Sequence, residues 1–575
     1  MIETVTNRAW PADTEPSARY PLYTRGNVGE VFPGVMSVIT GTLIGNQVNL
    51  ASYDLFREMG FLLERDLEPV PAATGVFCGY LYGNASLFRL MGLRAPGMKV
   101  TDADDQVSGG IEGMPPYVRR KGDRSTVATL RLGRYLLGVM RRPDLAPLDA
   151  ARADAQRWVA LMPAIETATD DELLAYVNEY PDRIRASMNR LLRYSMLAGG
   201  PRALAERVLE RSGAPVGLLN RLVSGIDDVD SARIAQRQWD LARIVAADAA
   251  LTARFDDGLD GLLPDLEGTA LAEPLAQFLA EYGHRCNDEY ELVSPAWTMD
   301  PTPVLAAIER LRHVAPDRSP AVVRARLQEE RAAADAELDR FVSRPLRRFA
   351  RNAIAGSRAG SAGRERAKDI LVQENLGVRQ ALHELYRRAA TRGGPTDPRQ
   401  CGCIAAAELV EFVRDPVAFG PVIAERLELQ AYLAARRPPD WFDGHIPDPD
   451  TWPQRDALVP DAPEAGSQLS GIAVSGGVAA GPARVITDPA DPRGLEPGEI
   501  LVCAITDPSW TPLFLVAGAV VCDTGAIQSH AAIVARELGI PGVMSVAGAT
   551  AIADGTWLEV DGDAGTISVG SAATT

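Results

Sequence analysis

Seven prolines crowd the stretch from Arg437 to Gly466: Pro438, Pro439, Pro447, Pro449, Pro453, Pro460 and Pro463. Each fixes φ and removes an amide donor. The stretch therefore predicts an extended, semi-rigid spacer, and it separates two textures. From about Thr126 to Arg437 the chain is rich in Ala, Leu, Arg and Glu with helical periodicity. Beyond Gly466, short apolar runs alternate with glycine turns. Strands are predicted at Ala483–Ile486, Ile500–Ala504, Ala519–Cys522, Trp557–Val560 and Thr566–Val569, around a helix from Ser529 to Leu538. The expected fold is multidomain. A large, mainly α-helical body occupies residues 1–436, a proline-rich linker 437–466, and a small α/β domain 467–575.

Within the body, Thr169-Asp170-Asp171-Glu172 reads as a capping box opening a helix. Ile184, Met188, Leu191, Leu192 and Leu197 form a helical stripe that Gly199-Gly200-Pro201 is expected to stop. Pro320 to Ala355 has a similar, less regular pattern. Pro21 to Gly113 is glycine-rich and irregular. No alternation of strands and helices marks a second α/β unit in the middle region.

At 575 residues the chain should hold more than one domain. Its 46% apolar and 23% charged residues are those of an ordinary globular protein. A net charge of -17 disfavours nucleic acid and anionic membrane as partners, and any phosphate site must be made locally basic. The polar N-terminus has no signal-peptide core. Apolar runs such as Thr511 to Cys522 fall short of the about 20 residues that span a bilayer. A cytoplasmic location is expected. The six cysteines (Cys78, Cys286, Cys401, Cys403, Cys503 and Cys522) are scattered. The one close pair, Cys401-Gly402-Cys403, has no second pair near it, so no metal site is expected and the thiols read as reduced.

The segment from Asp523 to Pro541 carries the chemistry. An apolar strand runs into a small-residue loop, and the loop delivers His530 to the start of a short amphipathic helix. A neutral imidazole is a competent nucleophile near pH 7. The free amides of a first helical turn, at the positive end of the dipole, can steady a phosphoryl dianion. By residue type alone, a histidine at a helix start is more often a cap or a surface residue. Small neighbours let a large group approach this one. Gly471 to Val485 is glycine-rich, but no G-x-G-x-x-G or G-x-x-x-x-G-K-[ST] occurs in it, so it reads as turns between strands.

Ser529-His530-Ala531-Ala532-Ile533-Val534-Ala535-Arg536-Glu537-Leu538-Gly539-Ile540-Pro541 closely resembles the swivelling phosphohistidine domain of the phosphoenolpyruvate-utilising enzymes, among them phosphoenolpyruvate synthase, pyruvate phosphate dikinase, rifampin phosphotransferase and phenylphosphate synthase. Gly471–Val485, Pro497–Val502, Thr506–Pro512 and Asp554–Thr566 extend the resemblance across the domain. It implies that His530 accepts a phosphoryl group. Ser529 and Thr524 either hydrogen-bond that group or the ring, or cap the helix. Gly525 supplies a backbone conformation that a side chain would hinder. Arg536 and Glu537 read as structural. Ala526 and Ser545 stand where the family often has glycine; if position 526 needs positive φ, alanine there costs on the order of 1 kcal/mol.

Looser resemblances mark the body. Gly26–Val35 looks like the opening of the substrate domain of rifampin phosphotransferase. Tyr282-Gly283-His284-Arg285, with Glu289 and Trp297, resembles a second segment, although Cys286-Asn287-Asp288 departs from it. Arg364-Glu365, Lys368 and Arg379 resemble a third. Arg364 and Lys368 are i and i+4 on one helix face, and Arg379 falls about four turns on. Such a stripe could stabilise the transferring phosphoryl group, or it could be a solvated face laced with Glu365, Asp369 and Glu374. His284 is a candidate general base toward a substrate hydroxyl, or a hydrogen-bonded core residue.

The resemblance implies a phosphotransferase that carries a phosphoryl group on His530 to a hydroxyl of a small organic substrate. No nucleotide loop or ATP-grasp unit is read in the chain, so no cofactor is expected to bind it directly. ATP and Mg2+ are expected on a separate ATP-grasp kinase subunit. The alternatives are a phosphorylation-assisted dehydratase or cyclase, and a non-catalytic module that retained the fold.

Overall fold

The computed structural model describes residues 9–572 apart from 27, 69, 71, 109–110, 112, 142–143, 216, 226–229, 459–461, 488–493, 507–509 and 526–528. The body is mainly helical and the C-terminal region is α/β, as expected. Compactness does not follow the boundaries expected at 436 and 466. One unit gathers residues 1–196, 288–294 and 367–459; the other gathers 197–287, 295–366 and 460–575.

The first unit contains a four-stranded sheet in the order β2-β3-β1-β4, built from β1 (Leu22–Thr24), β2 (Thr74–Phe77), β3 (Tyr80–Asn84) and β4 (Trp441–Asp443). β4 lies inside the stretch expected to be a bare spacer. It pairs antiparallel with β1, Tyr23 opposite Phe442. The reason is aromatic: Phe442 stacks on Tyr23 at 5.3 Å and meets Phe77 and Tyr82 edge-on. Pro439 is held as well, its carbonyl accepting from Tyr82 OH at 2.9 Å. The prolines thus shape short connections, including the 3-10 turns Pro449–Thr451 and Arg455–Leu458, around a strand that burial of Phe442 fixes.

The helix that the capping box opens is longer than expected. The capping box forms: Thr169 N donates to Glu172 Oε2 and Glu172 N to Thr169 Oγ1. The helix it opens runs unbroken from Asp170 to Arg211, through Gly199-Gly200-Pro201. The expected stop fails because this turn is tightly packed. A Cβ at Gly360, in the Arg344–Thr391 helix, would come within 2.4 Å of Ala198 N. Ser357 Oγ, one turn earlier, donates to Ala198 O. Backbone-to-backbone packing outweighs the proline's missing amide.

The second unit contains an eight-stranded sheet formed by β5 (Gln468–Ser470), β6 (Ile472–Ser475), β7 (Val478–Val485), β8 (Ile500–Cys503), β9 (Ala519–Cys522), β10 (Gly542–Met544), β11 (Thr556–Asp561) and β12 (Thr566–Ala572), in the order β5-β12-β11-β7-β8-β9-β10-β6. β7, β8, β9 and β10 are parallel; the outer strands are antiparallel. β8 and β9 are buried on both faces, which accounts for their unbroken apolar runs. Ile500, Val502, Ala519 and Val521 point to one core. Leu501, Cys503, Val520 and Cys522 point to the other, shared with Phe514 and the buried side of the His530–Leu538 helix. The helices Asp230–Ala247 and Thr302–Arg312 pack into that second core.

Gly360→Ala should destabilise the chain by about 1–3 kcal/mol, because the added methyl meets backbone that cannot yield. Denaturant unfolding of the variant beside the parent measures this; equal midpoints would show the approach is looser than described.

Candidate functional site

The parallel strands of the second unit end together, and their outgoing loops meet at one edge, where open α/β sheets bind ligands. Three register bonds hold the loops. Asp523 N donates to Cys503 O, Thr524 N to Ala504 O, and Val546 N to Cys522 O, each at 3.0 Å. Asp523 braces the edge by accepting from the amide and the hydroxyl of Thr550.

His530 is the first residue of its helix and is partly exposed. Its Nδ1 lies 2.9 Å from Thr506 Oγ1, and Phe514 meets the ring edge-on at 6.1 Å. The imidazole is therefore held from the side of β8 while it starts a helix that follows β9. Thr506 was quoted in the sequence only as part of a resembling segment. The signal for its role was its place three residues past the end of a strand parallel to the one before the histidine.

The neighbours divide as follows. Ser529 is the helix N-cap: its Oγ accepts from Ala532 N at 3.2 Å. Thr524 is exposed at the edge, its amide engaged with Ala504 O. Gly525 does not have a positive φ. Its constraint is space, since a Cβ there would lie 3.0 Å from Met544 Cβ. The left-handed residue is instead Ser545, at φ 54°, where the resembled family often has glycine. Its hydroxyl donates to Gly525 O at 2.6 Å, tying the loop after β10 to the loop before His530. Ala526 lies outside the described residues, as do Asp507-Pro508-Ser509.

In the same unit, Arg536 lies close enough to Arg202 and to Arg364 to be repelled by each. Burial first, then Arg202, pulls the Arg536 guanidinium down to about 9; Glu537 opposes this and Arg364 adds to it. Arg364 also pairs with Glu365 at 3.2 Å. Arg536 is half-buried on the His530 helix, repelled by Arg202 and Arg364 and attracted by Glu537. His284 and Arg285 are both buried; the Arg285 carbonyl accepts from Trp297 N at 2.8 Å, so the second resembling segment folds back on itself.

In the first unit, Lys368 forms a 2.7 Å ion pair with the buried Glu289. Arg379 corrects the stripe expected for it. It is 0% exposed, and its guanidinium donates to the carbonyls of Asp288, Glu289 and Glu291. Asn375 adds a bond to Glu289 O. Arg379 therefore clamps the 288–291 segment and has no face toward solvent. Among the described residues, no group of three or more His, Cys, Asp or Glu side chains could hold a metal, and no helix is long and apolar enough to cross a membrane.

Comparison with known proteins agrees with this geometry. Residues 495–565, which include Thr506, His530 and Ser545, match the family described as the mobile domain of PEP-utilising enzymes. The chain belongs to the phosphoenolpyruvate-utilising enzymes. Residues 187–365 of this family member also match the rifampicin phosphotransferase fourth domain. Its relatives include the prodigiosin synthesizing transferase PigC of Serratia marcescens, 31% identical over 451 residues, which are 73% of this chain and 48% of that protein. A rifampicin phosphotransferase of Streptomyces sviceus is 30% identical over 322 residues, 55% of this chain and 36% of that one. The uncharacterized phosphotransferase YvkC of Bacillus subtilis is 45% identical over 114 residues, 20% of this chain and 14% of its own. The chain thus spans half or less of the length of these relatives.

Thr506→Val should release the ring, at a cost of about 1 kcal/mol for the lost hydrogen bond. Nitrogen-detected NMR of the His530 imidazole should then show mixed tautomers where the parent shows one. A ring unchanged by the substitution would remove Thr506 from the site.

Proposed function

We propose that this chain carries a phosphoryl group on His530 and delivers it to a hydroxyl of a small organic molecule, as part of a phosphotransferase. The reading is carried by one observation: Thr506 holds Nδ1 of an imidazole placed at a helix N-terminus on the ligand edge of a parallel sheet. It is supported by the names of the relatives, two of which are phosphotransferases.

The donor is ATP with Mg2+, held on a separate ATP-grasp partner. With Nδ1 engaged by Thr506, Nε2 attacks the γ-phosphorus; the P–O bond to the diphosphate breaks and a P–N bond forms. The helix amides of the first turn neutralise the phosphoryl oxygens. In the second step the substrate hydroxyl attacks the same phosphorus, the P–N bond breaks, and His530 is regenerated. His284 takes the hydroxyl proton, and Arg364 balances the charge that spreads over the phosphoryl oxygens. Glu365 orients Arg364 through their ion pair.

Incubation with the ATP-grasp partner and ATP labelled at the γ position should place an acid-labile, alkali-stable phosphate on the parent chain and none on His530→Ala. Turnover of that variant should fall by at least about 10³-fold, the scale of losing a covalent nucleophile. Undiminished turnover with alanine at 530 rejects the carrier role. Mass analysis of the product decides the net reaction: a gain of one phosphoryl group is expected, whereas a loss of water would identify a phosphorylation-assisted dehydration.

A further inference from the structure

Residues 117–139 reverse the electrostatics of the chain. They carry Arg119, Arg120, Lys121, Arg124, Arg131 and Arg134 against a single acid, Asp123, in a protein of net charge -17. Asp123 is engaged inside its own turn, accepting from Tyr117 OH and Arg120 N. Along the Thr126–Arg141 helix, Ala128 and Leu132 face the core, while Val127, Leu130, Arg131, Arg134 and Leu137 are exposed. These five recur at helical spacing on one face. Leu130 is 73% exposed and Val118, just before the helix, 75%. Single exposed aliphatic residues are ordinary; a stripe of them bordered by cations is the composition of a docking face.

A counterpart lies in the other unit. Asp256, Asp257, Asp260, Asp265 and Glu267 fall in one short stretch that contains no Lys or Arg, and all five are exposed. Asp256 pairs with Arg312. The stretch also exposes Leu263, at 42%, beside Pro264. Each face thus offers an apolar centre with charged borders, and the signs are opposite.

We propose that the basic face, residues 118–138, docks the acidic face, residues 256–267, of a second copy of this chain. A two-fold contact of the basic helix with itself would set arginine against arginine. An anionic lipid surface would meet the strong negative surplus of the remaining chain. The contact pairs two different faces, so it is heterologous, and successive copies close into a ring or continue as a filament.

Sedimentation velocity tests this with the chain alone. At about 0.02 M salt the parent should assemble beyond a monomer. At about 0.5 M salt, where the Debye length falls to a few ångströms, the apparent Kd should rise at least tenfold. R131Q/R134Q removes the charge of the basic face and D257N/D260N that of the acidic one, all at exposed positions; each variant alone should sediment as a monomer. Their equimolar mixture retains one intact face of each kind and should give a dimer and nothing larger. A parent that is monomeric in both salts overturns the proposal. So do variants that assemble like the parent, a mixture that stays monomeric, and binding to phosphatidylserine vesicles without self-association.

Discussion

Backbone alignment at the ends of β8 and β9 governs the chemistry of this chain. The two strands run parallel with Cys503 opposite Cys522. The next amides continue that alignment, Asp523 N to Cys503 O and Thr524 N to Ala504 O, before the chains diverge. This is what brings Thr506, from one loop, to the imidazole that the other delivers. A slip of one residue would turn every core side chain of the strand to the opposite face. The double-sided burial of both strands forbids it. Apolar packing thus fixes the position of the polar contact between Thr506 and His530.

Much of this was legible in the sequence. The strands at 500–503 and 519–522 were visible as apolar runs, and Ser529-His530 as a cap followed by a helix, because local composition settles such elements. In the C-terminal sheet three strands were missed: β5, β6 and β10. Each has three or four residues, too few for alternation to register, and each is a strand through its partners. The helix stop at Gly199-Gly200-Pro201 misled for a related reason. Breaker residues state a local preference, while a glycine 160 residues later supplies the close packing that overrides it.

The site followed the same division. His530 could be read because its neighbours in sequence are its neighbours in function. Thr506 and Ser545 could not, since they reach it from other strands. Arg379 shows the opposite failure. Its spacing from Arg364 suggests a charged stripe, yet the backbone carbonyls of 288–291 capture it. Charge periodicity on a helix cannot distinguish a cation that faces a ligand from one that staples a neighbouring loop. The proline stretch likewise held a strand, because Phe442 found three aromatic rings.

Ser545 has a wider consequence. A left-handed serine whose hydroxyl grips the carbonyl of Gly525 couples two loops by a single side chain. Glycine at that position would relax the backbone but sever the grip; alanine would sever it and keep the tension. Only a residue that tolerates the turn and also reaches across, such as serine or asparagine, satisfies both demands. Serine at 545 therefore trades conformational ease for a mechanical link between the two loops.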